Sequence, residues 1–132
     1  MPFFLLQSMV YFQKNGVPSV GVVVDIKTIR QLVKLKRYQV KLHAVQHALQ
    51  EGFGEKEIIA AVLAGEIIET YPDRNRILIC GKVIFNVGLE MYLHVVCEQN
   101  YSDQVEFVTC YIPSTREWGT PPVKRKNKND KN

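Results

Sequence analysis

Cysteine is scarce and never set at metal-ligand spacing: Cys80, Cys97 and Cys110 are the three in 132 residues, and no C-x-x-C occurs. That pattern speaks against a zinc ribbon and against a disulfide framework. All three lie in apolar, strand-like runs, so they are expected as buried, reduced thiols of a cytoplasmic protein. An uninterrupted bilayer-length run, which takes roughly 20 apolar residues, is also missing. The apolar opening MPFFLLQSMVYF is broken by Gln7 and Ser8 and has no preceding positive charge, so neither a membrane span nor a secretory signal is expected. Histidine numbers three, and H-E-x-x-H is absent. His43 and His47 stand one helical turn apart but supply two ligands only, so no metal and no cofactor is expected.

A charge excess is likewise missing from most of the chain. The formal net charge of +4 belongs to the segment after Trp118, where Lys124, Arg125, Lys126, Lys128 and Lys131 face Asp130 alone. Residues 1–118 carry 12 basic and 12 acidic side chains. Within them the signs separate: residues 1–50 sum to +6 and residues 51–118 to −6. The basic run Lys27, Arg30, Lys34, Lys36, Arg37 and Lys41 is therefore the informative signal, readable either as a phosphate-contacting surface or as a solvated helix face.

At this length the chain is one domain with enough material for a core. Residues 1–25 form an N-terminal extension with two short strand patterns, Met9–Phe12 and Val20–Val24, around Asn15-Gly16 and Pro18. From Asp25, a cap residue, Ile26, Ile29 and Leu32 or Val33 recur at helical spacing, with Arg30, Lys34 and Arg37 on the outward side. Tyr38–Leu42 alternates like a strand. In Lys41–Phe53, at about 100° per residue, Ala44, Val45, Ala48 and Leu49 share the expected core face, and His43, His47 and Gln50 the other. Gly52 ends that helix, and a second one begins at Gly54-Glu55, carries Ile58, Ile59, Val62 and Leu63, and stops at Gly65. The pair makes an αα-hairpin.

The remainder reads as strands: Glu66–Tyr71, Arg76–Cys80, Val83–Val87, Met91–Glu98 and Val105–Ile112, with Gly81 and Gly88 among the breaks. Short connections predict an antiparallel meander, so the fold class is α+β: N-terminal helices on one face of a four- to five-stranded antiparallel sheet over residues 26–118. Residues 119–132 have nothing evident to bury and read as a disordered basic tail. Alternation puts His94 on the face of its strand opposite Leu93 and Val95. It puts Phe107, Thr109 and Tyr111 opposite Val108, Cys110 and Ile112. His94, Tyr111 and Arg76 are then expected together on the face that helices leave uncovered, if the register holds.

These elements resemble the bacterial domain-of-unknown-function family 4258 (DUF-4258), over roughly Ile29 to Trp118. The resemblance is carried by I-R-Q-L-V, H-A-V-Q-H-A-L-Q-E-G-F, A-G-E-I-I-E-T-Y-P-D, I-L-I-C-G, L-H-V-V and T-C-Y-I-P-S in order. It marks His43-Ala44, Leu93-His94-Val95-Val96 and Tyr111-Ile112-Pro113. The family commonly has arginine four and eight residues after the first histidine, where this chain has His47 and Glu51, which weakens a phosphate-binding role for that helix. The layout is also similar, by analogy of fold alone, to RelE/ParE-like toxins of the BrnT type.

Two functional readings stay open. The first is a metal-independent endoribonuclease of that toxin type, acting on RNA and held by an antitoxin. In it His43 and His94 would be acid and base, Tyr111 a proton donor or stacking group and Arg76 a phosphate clamp, with Arg30, Lys34 and Arg37 on the nucleic-acid backbone. The second is a non-catalytic module that binds protein or nucleic acid. Each singled-out residue also has a plainer role: His43 a helix start, His94 a packed histidine, Tyr111 a sheet aromatic.

Overall fold

In the computed structural model the described residues are 25–85, 88–101, 103–127 and 129. The two strand patterns expected before Asp25 lie outside them. Among the described residues, three helices, α1 (Ile26–Lys34), α2 (Leu42–Glu51) and α3 (Glu55–Ala64), precede or interleave with five strands: β1 (Tyr38–Val40), β2 (Glu66–Tyr71), β3 (Arg76–Ile84), β4 (Glu90–Tyr101) and β5 (Gln104–Tyr111). A 3-10 turn, Pro72–Arg74, links β2 to β3. The sheet order is β1-β5-β4-β3-β2.

The α+β class and the one-sided helical layer are as the sequence implies, but the sheet is mixed. β2 through β5 form the antiparallel meander, whereas β1 runs parallel to β5, with Tyr38 beside Val105 and Val40 beside Phe107. Parallel pairing is possible because a long crossover through α2, α3 and the meander separates the two strands.

Helix starts and stops follow local chemistry. Asp25 caps α1, its carboxylate accepting from the Thr28 amide at 3.0 Å and the Thr28 hydroxyl at 2.8 Å. Gly52 closes α2 in the left-handed region (φ 87°). At the start of α3 the Glu57 carboxylate reaches back to the Gly54 amide at 2.9 Å.

The core lies between the helices and one sheet face: Ile29, Leu32 and Val33 of α1, Ala44 and Ala48 of α2, and Ile58, Ala61 and Val62 of α3 meet Ile77, Ile79, Val83, Leu93, Val95, Cys97, Val105, Phe107 and Cys110. Two expectations need correction here. Gly81 does not break β3, which runs unbroken from Arg76 to Ile84. It instead lets α3 lie close on the sheet, since a Cβ there would sit 2.3 Å from the Ala61 carbonyl oxygen. The alternation in β5 also changes phase. The pairing shifts between Val96↔Thr109 and Cys97↔Phe107, leaving Val108 as the extra residue of a bulge. Phe107 therefore points into the core with Cys110, and not away from it.

A third correction concerns α2. Only Ala44 and Ala48 are buried, while Leu42, Val45 and Leu49 are exposed, at 71, 38 and 69%. These three fall at i, i+3 and i+7, so α2 touches β5 through its alanines and turns an apolar line outward. Of the expected disordered tail, residues 119–127 and 129 are described and the others lie outside the described residues. Residues 114–127 fold back as a strap over the sheet face the helices leave open, with Trp118 bridged to Arg125.

Candidate functional site

The open face of the sheet carries most of the side chains the sequence singles out, and the strap covers part of it. His94 stands between Cys80 on β3 and Tyr111 on β5 in cross-strand register. It is fully buried. Its Nε2 lies 2.7 Å from the Pro122 carbonyl oxygen, so that nitrogen must carry the proton and donate. Nδ1 is then the acceptor for the Tyr111 hydroxyl at 3.2 Å. Trp118 packs edge-on against the imidazole, ring centres 4.5 Å apart. Burial pulls the His94 pKa below its ordinary value, only partly offset by the Pro122 contact and by Glu69, so the ring is neutral at pH 7. Burial likewise pushes the Tyr111 hydroxyl up to about 12.

The strap has a second anchor. Arg125 grips the Glu69 carboxylate through Nε at 2.7 Å and a terminal nitrogen at 3.0 Å, and its guanidinium lies 4.5 Å from the centre of the Trp118 ring. The Tyr71 hydroxyl donates to the same carboxylate. The Arg125 bond holds Glu69 below the usual carboxylate range, against the opposing effect of burial and with help from Tyr71. Sequence reading missed Pro122, Trp118, Arg125 and Glu69 as a unit. The one available signal was a tryptophan followed seven residues later by an arginine in an otherwise unpatterned tail.

The four residues assigned to catalysis do not converge. His94 and Tyr111 meet, as alternation implied. Arg76 shares their face but pairs with Glu98, the two facing each other across β3 and β4. Four residues of strand separate Glu98 from His94, about 13 Å at the usual rise. Burial raises the Glu98 carboxyl, yet the Arg76 and Asn100 bonds outweigh it and keep it low. His43 is exposed on α2. That helix lies on the other side of the sheet, where the Cys110 thiol donates to the Ala44 carbonyl at 3.5 Å. A whole layer therefore stands between His43 and His94.

The basic set is divided in the same way. Arg30 turns inward and donates to the Val62 carbonyl at 3.5 Å and to the Gly65 carbonyl, satisfying the C-terminal end of α3. Arg37 pairs with Asp103 at 3.7 Å, and Lys41 with Glu106 at 3.1 Å. Lys34 remains exposed without an ion pair among the described residues. Glu51 accepts from the Ile112 amide at 2.8 Å and faces His47 at 3.5 Å. It thereby ties the end of α2 to the end of β5.

Among the described residues no three His, Cys, Asp or Glu side chains are grouped as a metal would need, and no helix is long and apolar enough to cross a membrane. The three thiols are free and buried.

The family model described as "Domain of unknown function (DUF4258)" matches residues 40–112. The chain belongs to that family. The DUF4258 match runs from the last residue of β1 to the residue after β5, so it includes His43, Arg76, His94 and Tyr111. Arg30 of α1 and the strap residues Trp118, Pro122 and Arg125 fall outside it. No curated protein and no solved structure matches the chain.

Proposed function

We propose that this chain is a non-catalytic interaction module of the cytoplasm that docks a protein on the outer face of α2. The observation that carries the non-catalytic half is His94: both its ring nitrogens are engaged, by Pro122 and Tyr111, and its intended partner His43 lies beyond the sheet. Metal-free RNA cleavage needs an acid and a base at one phosphate, and an imidazole buried under a strap with both nitrogens engaged does not reach one. The rival reading, a BrnT-type endoribonuclease governed by an antitoxin, therefore lacks its paired groups.

The docking half is supported by Leu42, Val45 and Leu49, an exposed apolar line with Gln46 and Gln50 beside it. Charge depletion around an apolar centre is what interface cores have in common. Exposed Lys34 and Lys36, without ion pairs among the described residues, lie in the segment leading into that helix, so the fitting partner is an amphipathic helix with an apolar stripe and acidic flanks.

Two measurements test the two halves. Single-stranded RNA incubated with micromolar protein in EDTA should stay intact; cleavage that His94→Gln removes would return the ribonuclease reading. A helical peptide with leucines at i, i+3 and i+7 flanked by glutamates should bind, less tightly as salt rises, and Leu49→Glu should abolish binding. Equal binding by the same peptide with lysine flanks would overturn the charge assignment.

A further inference from the structure

Beside the strap, the open sheet face holds a hollow of about 440 Å³ lined by Tyr71, Asp73, Arg74, Arg76, Val96 and Thr109. That size falls within the roughly 300–1,000 Å³ of small-molecule sites. It lies on the side of the sheet opposite α2, so it is separate from the docking surface and stands or falls without it.

The lining is chemically divided. Arg76 is held through Nε by Glu98, which is itself fixed by the Asn100 amide at 2.6 Å. An arginine anchored in this way keeps its terminal amino groups in a set plane, ready to meet two oxygens of an anion. Arg74 adds a second guanidinium and makes no ion pair among the described residues, and the Thr109 hydroxyl likewise has no side-chain partner there. Val96 and Tyr71 supply the apolar part, and Asp73 supplies an acceptor at the rim. Cations and a hydroxyl call for phosphate, an aromatic beside a valine calls for a flat apolar group, and the carboxylate calls for hydroxyl or amino donors.

We propose that this hollow binds a nucleoside monophosphate, its phosphate on Arg74, Arg76 and Thr109 and its base against Tyr71 and Val96. The same phosphomonoester occurs in a free nucleotide and at the 5′ end of an RNA strand. The test is a titration of the full chain, followed by amide chemical shifts, with inorganic phosphate, adenosine, adenosine 5′-monophosphate, and a trinucleotide with and without a 5′-phosphate. Saturable binding of the monophosphate is expected, at least tenfold tighter than phosphate alone or adenosine alone. Arg74→Gln should weaken it at least tenfold while leaving the melting temperature unchanged, because Arg74 is exposed. A 5′-phosphorylated trinucleotide binding more tightly than the mononucleotide assigns the site to strand ends; equal or weaker binding assigns it to free nucleotide. Absence of saturable binding, adenosine binding as tightly as its monophosphate, or an Arg74→Gln variant that binds unchanged would overturn the proposal.

Discussion

His94 donates to the carbonyl oxygen of Pro122, 2.7 Å away and 28 residues further along the chain. That bond is where the strap is fastened to the sheet, and it gives His94 a role in holding structure together. His94→Ala should leave a buried carbonyl without a donor, at about 1–3 kcal/mol, and open a cavity besides. Trp118, the sole tryptophan, should report the release as a red shift and quenching of its emission. Unchanged emission with unchanged stability would contradict this anchoring role.

Burial of the same imidazole sets a pH dependence, which the Pro122 bond only partly opposes. Burial lowers the His94 pKa in the folded chain, so below about 6.5, the ordinary histidine value, the unfolded chain binds the proton first. Stability is then full above that pH and falls as the pH drops below it. Glu69 and Glu98, whose folded values are also lowered, add a further loss below the ordinary carboxylate range. Melting temperatures measured from pH 8 to pH 2 should decline in these two stages, and His94→Gln should flatten the first.

Arg125 is the exposed half of the clasp, its side chain 55% accessible. Arg125→Ala should therefore cost no more than about 1 kcal/mol, a cost that shrinks at high salt. Trp118 should nonetheless gain mobility in fluorescence anisotropy, whereas Lys124→Ala should leave it unchanged. A stability loss as large as that of His94→Ala would show that the two anchors are misranked.

Two glycines separate conformational from steric demand. Gly52→Ala places a side chain in open space at φ 87°, so about 1–2 kcal/mol is expected from the left-handed backbone alone. Gly81→Ala drives a methyl to 2.3 Å from the Ala61 carbonyl oxygen, a backbone atom that cannot rotate away, and should cost about 3 kcal/mol or more. Urea titration of both variants distinguishes the two costs.

The thiols should be silent in the folded chain. Burial pushes Cys80 and Cys110 up to about 11 and Cys97 higher still. Alkylation at pH 8 should proceed at the rate of unfolding, and a fast-reacting cysteine would show that its strand opens locally.

What was legible in the sequence was whatever short-range chemistry decides. Asp25, Gly52 and Gly54-Glu55 mark helix ends through their own backbone and side-chain preferences, and the apolar stripes of α1 and α3 reach the core as their spacing implies. Where the sequence reading failed, the deciding contact was remote. The phase change at Val108 depends on how β5 pairs with β4, and the role of Gly81 depends on Ala61 passing over it. Val45 and Leu49 look like core by periodicity, but the alanines of α2 already fill the contact with β5. Alternation places His94 and Tyr111 on one face, yet the strap that covers them is a polar segment without a pattern, anchored through one carbonyl and one guanidinium.

The parallel pairing of β1 with β5 has a consequence for synthesis of the chain. β1 leaves the ribosome well before its neighbour, since Val105 follows 67 positions after Tyr38. Until then α1, α2 and their apolar faces have no sheet to cover, and β1 has no partner. The first half of the nascent chain therefore cannot reach its final packing on its own, and closure of such distant pairs is slow relative to local helix formation. A chain stopped before β5 should remain protease-sensitive in β1 and α2, while one that reaches Tyr111 acquires protection in β1 and β5 together.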